Sequence, residues 1–192
     1  EEIGAKTLNV DAQLLPDKQS DFGLMGVRTD RDSRIWGVLE TLERKRDQFD
    51  DVHAFTPAPG NVGPCNAGRA SLSIGPDGKV YPCTVYSKSA GDFRKNTIKE
   101  IWENSPLFAQ IRQIKRDTYL VDCEGCTYQG VCSYCPSNSY SETGDPGRRS
   151  AHVCESTHLQ QSAIEHMRRL IKDNKPLPKQ GSPEAETLLA RS

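Results

Sequence analysis

Seven cysteines constrain this chain more than any other feature: Cys65, Cys83, Cys123, Cys126, Cys132, Cys135 and Cys154, with none before position 65 or after position 154. An odd number of thiols in 192 residues, with no signal-peptide pattern at the start, makes a poor disulfide framework. Secreted scaffolds pair an even number of cysteines in shorter chains. The set reads better as metal ligands. Only 35% of the residues are apolar, so the core is thin for the length and something else must help to hold the cysteine region. The formal charge of −1, from 25 basic and 26 acidic residues, argues against a nucleic-acid or membrane-surface binder. No apolar run approaches the ~20 residues of a membrane helix, and the expected location is the cytoplasm. A start at Glu1 rather than Met points to a piece of something longer, or to a processed product.

The spacing is C-x17-C, then C-x2-C-x5-C-x2-C, then C-x18-C. Two thiolates two residues apart let a short loop wrap a soft metal or one edge of a cluster. Zinc ribbons separate their paired cysteines by about 15–20 residues, so that each pair forms its own knuckle. Here only five residues part Cys126 from Cys132. Iron–sulfur ligation tolerates such a close series, and in bacterial ferredoxins the last cysteine of the run precedes a proline and serves a second cluster. Cys135-Pro136 ends this run in the same way. The residues favour iron–sulfur over zinc.

Around the cysteines the pattern is mixed. Thr7–Val10 reads as a short strand, residues 16–31 as a loop, and Thr56-Pro-Ala-Pro-Gly-Asn61 as a linker. A helix capped by Asp32 or Ser33 carries Ile35, Val38, Leu39, Leu42 and Phe49. Gly75-Pro-Asp-Gly78 should turn a hairpin that brings Cys65 and Cys83 together. Thr97-Ile-Lys-Glu100 is a capping box that leads Ile98, Ile101 and Trp102 onto one face. Ser105-Pro106 restarts a helix with Leu107, Ile111 and Ile114, and Trp102 and Phe108 read as core anchors. Residues 120–154 look irregular. A helix with Leu159, Ala163, Met167, Leu170 and Ile171 follows Cys154, and a tail begins at Asn174. His53, His152, His158 and His166 stand apart from one another, as structural or surface histidines do. No catalytic residue can be assigned.

With the glycine of the first gap written in, the pattern C-x12-G-x4-C, C-x2-C-x5-C-x2-C and a lone Cys resembles the seven-cysteine signature of SPASM domains. These are the C-terminal auxiliary-cluster domains of many radical SAM enzymes. The connecting sequences Gly91-Asp-Phe-Arg-Lys-Asn-Thr-Ile-Lys-Glu-Ile-Trp-Glu-Asn-Ser105 and Tyr140-Ser-Glu-Thr-Gly-Asp145 resemble that family too, and the likeness covers about residues 62–172. The third gap of the run is x2, where the commonest family pattern has x3. The resemblance implies an α+β chain. Residues 1–60 would be the C-terminal remnant of a partial (β/α) TIM-type barrel plus linker, residues 61–173 a small SPASM domain of β-hairpin, helices and cluster-binding loops, and residues 174–192 a tail. It also implies two [4Fe–4S] clusters. Cys123, Cys126, Cys132 and Cys154 would hold the outer one, and Cys65, Cys83 and Cys135 the inner one, nearer the barrel. Seven thiolates leave one iron of the inner set without a cysteine, since Asn61, Val62 and Gly63 offer no thiol.

Radical SAM catalysis, on the same resemblance, needs a C-x3-C-x2-C loop, and none occurs here. S-adenosylmethionine and a third cluster are therefore expected only in the full-length enzyme, and this chain alone should not cleave S-adenosylmethionine. The implied role is electron transfer, substrate engagement or both, in a radical SAM oxidoreductase that modifies a ribosomally made peptide or protein. The implied partners are the missing barrel (in the same polypeptide or a partner chain), the peptide or protein substrate, and a reductant such as flavodoxin or ferredoxin. Two alternatives belong to other classes: a stand-alone iron–sulfur electron-transfer module, and a zinc-stabilised interaction domain.

Overall fold

Pro76 and Asp77 suit the two central positions of a type I turn, and the chain reverses there. The Gly78 N–H donates to the Gly75 carbonyl at 2.9 Å, and Gly78 takes φ +76°, a conformation that a side chain would strain. The turn joins β1 (Ser73–Ile74) to β2 (Lys79–Tyr81), antiparallel with Ser73 opposite Tyr81. β3 (Gly91–Asp92) pairs with the other edge of β2, placing Asp92 opposite Lys79. These strands are seen in a computed structural model that describes residues 30–49, 63–115, 121–132 and 134–190. The expected Thr7–Val10 strand, the 56–61 linker, His53 and nearly all of the 16–31 loop lie outside the described residues.

The chain divides into two compact units. Among the described residues, the cysteine-bearing unit comprises 63–155, and the other comprises 30–49 with 156–190.

In the cysteine-bearing unit the three-stranded sheet is followed by α2 (Ile98–Asn104) and α3 (Pro106–Gln113). The capping box forms as expected. The Glu100 N–H donates to Thr97 Oγ1 at 3.2 Å, and the Thr97 N–H donates to the Glu100 carboxylate at 2.8 Å. Pro106 occupies the first turn of α3, where a missing N–H costs nothing. Val80, Ile101 and Phe108 are buried together, with Leu72, Ala90 and Trp102 packed against them. Phe108 is fully buried, as an anchor should be. Trp102 is half-buried: its ring lies 5.2 Å from that of Phe108, and the Arg112 guanidinium covers it at 4.5 Å. Ile98 departs from expectation. It opens α2 and is 37% exposed, so the buried face of that helix narrows to Ile101.

A second apolar group, Tyr86, Leu107 and Ile111, has Cys83 and Tyr140 packed on it. A third, Ile114 and Tyr134, has Cys123 and Cys132. The core thus runs out into the thiols. Arg69 closes the C-terminal end of α3, donating to the carbonyls of Ile111 at 2.7 Å, Arg112 at 2.9 Å, and Ile114. Arg112 returns a bond from Nε to the Gly68 carbonyl at 2.8 Å. A cation on the orphan carbonyls of a helix end is favourable, and this pair fastens the turn after Cys65 to α3.

The described residues of the 120–154 stretch are more regular than its periodicity suggests. It contains a 3-10 turn (Val121–Cys123), α4 (Pro136–Thr143), and the start of α5 (Ala151–Lys172). The residues that α4 buries are Pro136, Ser137, Asn138 and Ser139, so hydropathy carries no trace of it. Helix α5 begins at Ala151, which puts Cys154 in its first turn rather than before it.

In the other unit, α1 (Arg31–Arg44) is capped by Asp30, not by Asp32 or Ser33. The Asp30 carboxylate accepts from the Ser33 N–H at 2.9 Å and from the Ser33 hydroxyl at 2.7 Å. Ile35, Leu39 and Leu42 are buried as expected, Trp36 joins them, and Val38 is only partly buried; Phe49 is buried too, but past the end of the helix, after the 3-10 turn Arg46–Gln48. They pack with Leu159, Ala163 and Met167 of α5, and with Ala185 of α6 (Pro183–Leu189). Helix α6 interrupts the expected tail; Ser182 caps it and Pro183 opens it. Arg46 pins the end of α5 through the carbonyls of Leu170 at 3.2 Å and Lys175 at 2.6 Å. The α+β class is the one observed. Among the described residues, no helix is long and apolar enough to cross a membrane.

Candidate metal centre

Each cysteine sits where local chemistry fixes its backbone. The Cys123-Glu-Gly-Cys126 step is a closed turn: the Cys126 N–H donates to the Cys123 carbonyl at 3.0 Å, and Gly125 takes φ +77° at the third position. A positive φ there is the mark of a type II turn and favours glycine. Another turn follows, with the Cys132 N–H on the Tyr128 carbonyl at 2.9 Å. Cys135 is the N-cap residue of α4, and Pro136 is the first residue of that helix. Cys83 follows the β2 edge and is half-buried, whereas Cys65 lies exposed before the turn that Arg69 fastens. None of the seven cysteines forms a disulfide.

Two carboxylates bring distant parts together. Asp122 accepts from the Arg149 backbone N–H at 3.1 Å and pairs with Arg148 Nε at 3.0 Å. Glu142, near the end of α4, accepts from the Ser150 hydroxyl at 2.9 Å and from the Ala151 N–H at 2.8 Å, at the N-terminal end of α5. An acidic group there meets the positive end of the helix dipole. Cys123 and Cys154 are drawn towards each other by these two fastenings. Replacing Asp122 with alanine is expected to cost about 1 kcal/mol, the value of a charge-assisted bond discounted for partial exposure. Urea unfolding of that variant checks it.

Six of the seven thiols influence one another electrostatically in two sets. Burial pushes the Cys123 thiol up from its usual range, and the neighbouring Cys126, Cys154 and Cys132 add to the shift, with Arg149 opposing it. Those are the four residues of the expected outer set. Burial also raises Cys135; the backbone N–H groups of Asn138 and Ser137 oppose the rise, Cys83 adds to it, and the Ser137 hydroxyl opposes it. Cys83 Sγ stands 3.2 Å from Ser137 Oγ. Two members of the expected inner set, Cys83 and Cys135, therefore meet around Ser137. Cys65 is the member whose exposure sets it apart. Among the described residues, no three His, Cys, Asp or Glu side chains converge on a single metal ion. His152 and His166 are buried and His158 is exposed.

An all-thiol donor set with apolar residues behind it suits a soft iron–sulfur centre. Residues 60–127 match the SPASM family, an iron–sulfur cluster-binding domain. That segment is similar to a SPASM domain. The resemblance read from the cysteine spacing is thereby borne out, and the SPASM match reaches from the linker through the first pair of the C-x2-C run. Two curated proteins are similar to it. An AdoMet-dependent heme synthase of Methanosarcina barkeri (strain Fusaro / DSM 804) is 33% identical over 81 residues, covering 42% of this chain and 23% of that protein. The antilisterial bacteriocin subtilosin biosynthesis protein AlbA of Bacillus subtilis (strain 168) is 28% identical over 102 residues, covering 50% and 22%. The matched stretch spans less than a quarter of either relative. No solved structure matches the chain.

Reading along the sequence misses the residues that assemble this site. Asp122, Glu142 and Ser137 act across 27, 8 and 54 positions respectively. A signal for Ser137 does exist: polar residues directly after Cys-Pro occupy the first turn of a helix, where N–H groups are free.

Proposed function

We propose that this chain is the auxiliary-cluster portion of a radical SAM enzyme that modifies a ribosomally made peptide or protein. Cys123, Cys126, Cys132 and Cys154 would hold the outer [4Fe–4S] cluster, and Cys65, Cys83 and Cys135 the inner one. When bound, the clusters would relay electrons and, through an iron without a cysteine, could engage substrate. The observation that best supports this reading is the approach of Cys83 to the residues that follow Cys135, with its sulfur 3.2 Å from Ser137 Oγ, while Cys126, Cys132 and Cys154 all act electrostatically on Cys123. The rest of the enzyme would contribute the barrel, from which residues 1–60 would be the last part, together with S-adenosylmethionine and a third cluster. Residues 61–173 would be the SPASM domain and 174–192 a tail, the whole working in the cytoplasm with a flavodoxin or ferredoxin as reductant.

The protein's own residues divide the work. The apolar groups around Tyr86 and Tyr134 exclude water from one side of the thiols. Asp122 holds the 121–132 loop to the residues just before α5, and Glu142 holds the end of α4 to the first residue of α5. A second reading is favoured by the higher identity of the heme synthase relative: the enzyme's substrate would then be a tetrapyrrole. Mass spectrometry of the full-length enzyme's products separates the two, by an altered peptide or by an altered tetrapyrrole.

For the chain itself, anaerobic reconstitution is expected to yield brown protein with about eight iron and eight sulfide. With S-adenosylmethionine and a strong reductant it should release no 5′-deoxyadenosine. Stoichiometric zinc without iron uptake would overturn the reading.

A further inference from the structure

Ser137 occupies an unusual place. It is 3% exposed and is the second residue of α4, directly after Pro136. Proline has no N–H, so the first backbone donors of α4 are those of Ser137 and Asn138, and both act on the thiol of the N-cap Cys135. From the other side the chain after β2 delivers Cys83, whose sulfur lies 3.2 Å from Ser137 Oγ. One hydroxyl thus stands among a helix N-terminus and the two cysteines Cys83 and Cys135.

The chemistry fixes the direction of that bond. Between a free thiol and a hydroxyl either group can donate. A metal-bound thiolate has no proton, so the hydroxyl is then the donor. Out of water the bond strengthens, because the surrounding dielectric is low. A donor on a cluster sulfur favours the state with more negative charge, which is the reduced one. At 3.2 Å the oxygen is at hydrogen-bonding distance from the sulfur.

We propose that Ser137 is a positioning residue for the cluster bound by Cys83 and Cys135, its hydroxyl donating to a ligand sulfur and raising that cluster's reduction potential. The inference rests on the proposal that these two cysteines share a cluster. It adds a residue whose substitution should retune one cluster without emptying it.

The test uses the full chain, reconstituted anaerobically, with midpoints followed by EPR-monitored redox titration. Ser137→Ala should retain the iron content of the unsubstituted chain. One midpoint should fall by about a tenfold change in the oxidised-to-reduced ratio, ~59 mV for one electron, and the other should stay in place. Ser137→Thr and Ser137→Val have the same shape and differ in the hydroxyl, so Thr should keep the higher midpoint even if alanine at this position impairs loading. Equal midpoints in the Thr and Val variants would overturn the proposal. Cys83→Ala and Cys135→Ala test the foundation separately. If they empty different clusters, the shared site is wrong; if they empty the same one while the Thr and Val midpoints coincide, the role of Ser137 alone falls.

Discussion

Cys126→Ala should halve the iron bound by the anaerobically reconstituted chain, from about eight to about four, and leave one EPR signal intact. Cys83→Ala should also halve it, and the signal that survives should be the other one. The reason is that the two groups of thiols have separate supports. The group around Cys123 depends on the type II turn at Gly125 and on the Asp122 and Glu142 fastenings. Cys83 and Cys135 depend on the edge of β2, the start of α4 and the Ser137 hydroxyl. Removing one thiolate leaves an iron without its strongest ligand while the other group keeps its geometry. Iron analysis and EPR on the two variants decide the matter. If both substitutions abolish the same signal, the partition is wrong, and the shortened gap before Cys135 is where it would have failed. If either empties both sites, the fold has gone with the metal, as happens in small domains whose binding energy is also folding energy.

Phe108→Ala should have the largest effect on the apo chain. The ring is fully buried and packs with Val80, Ile101 and Trp102. Truncating a buried phenylalanine typically costs about 3–5 kcal/mol, from lost transfer energy plus the cavity left behind. A domain's whole stability is about 5–15 kcal/mol. The cysteine-bearing unit has few such anchors, so urea unfolding of the metal-free variant should begin at the lowest denaturant concentrations. Iron loading should recover much of the loss, because a ligand bound by the folded state alone stabilises it. Ile98→Ala is the matched control: at 37% exposure it should stay within about 0.5 kcal/mol of the unsubstituted chain. Equal losses for the two variants would mean that Phe108 is not a core anchor.

Features fixed by residues a few positions apart are legible in the sequence. The Gly75–Gly78 turn, the Thr97–Glu100 capping box and Pro106 at a helix start each need only neighbouring residues, and each forms as read. The iron–sulfur character of the cysteine pattern is legible for the same reason, since ligand spacing is local. Features set by burial of polar residues are not. Helix α4 buries Ser137, Asn138 and Ser139, so it leaves no apolar stripe to find; helix α6 carries Ala185, Leu188 and Leu189 on the core side, but its seven residues are too few to set a period. The cap of α1 lies two or three residues upstream of the expected positions, because Asp30, Asp32 and Ser33 all have side chains that can cap, and only the geometry chooses among them. The carboxylate fastenings at Asp122 and Glu142 join chemistry across turns whose path the sequence does not reveal.

Helix α4 links both groups of thiols, with Cys135 at its head and Glu142, one residue from its end, bonded to the start of the helix that carries Cys154. Eight helical residues make a rod of about 12 Å, and each residue advances the helix by about 100°. Inserting a single residue between Cys135 and Glu142 would swing the carboxylate a quarter-turn or more around the rod, away from Ser150 and Ala151. Inserting a full turn of three or four residues would restore its angular phase but lengthen the rod by about 5.4 Å. The interval between the two groups is therefore quantised by helical geometry, and drift in chain length is admissible in the surrounding loops but not here.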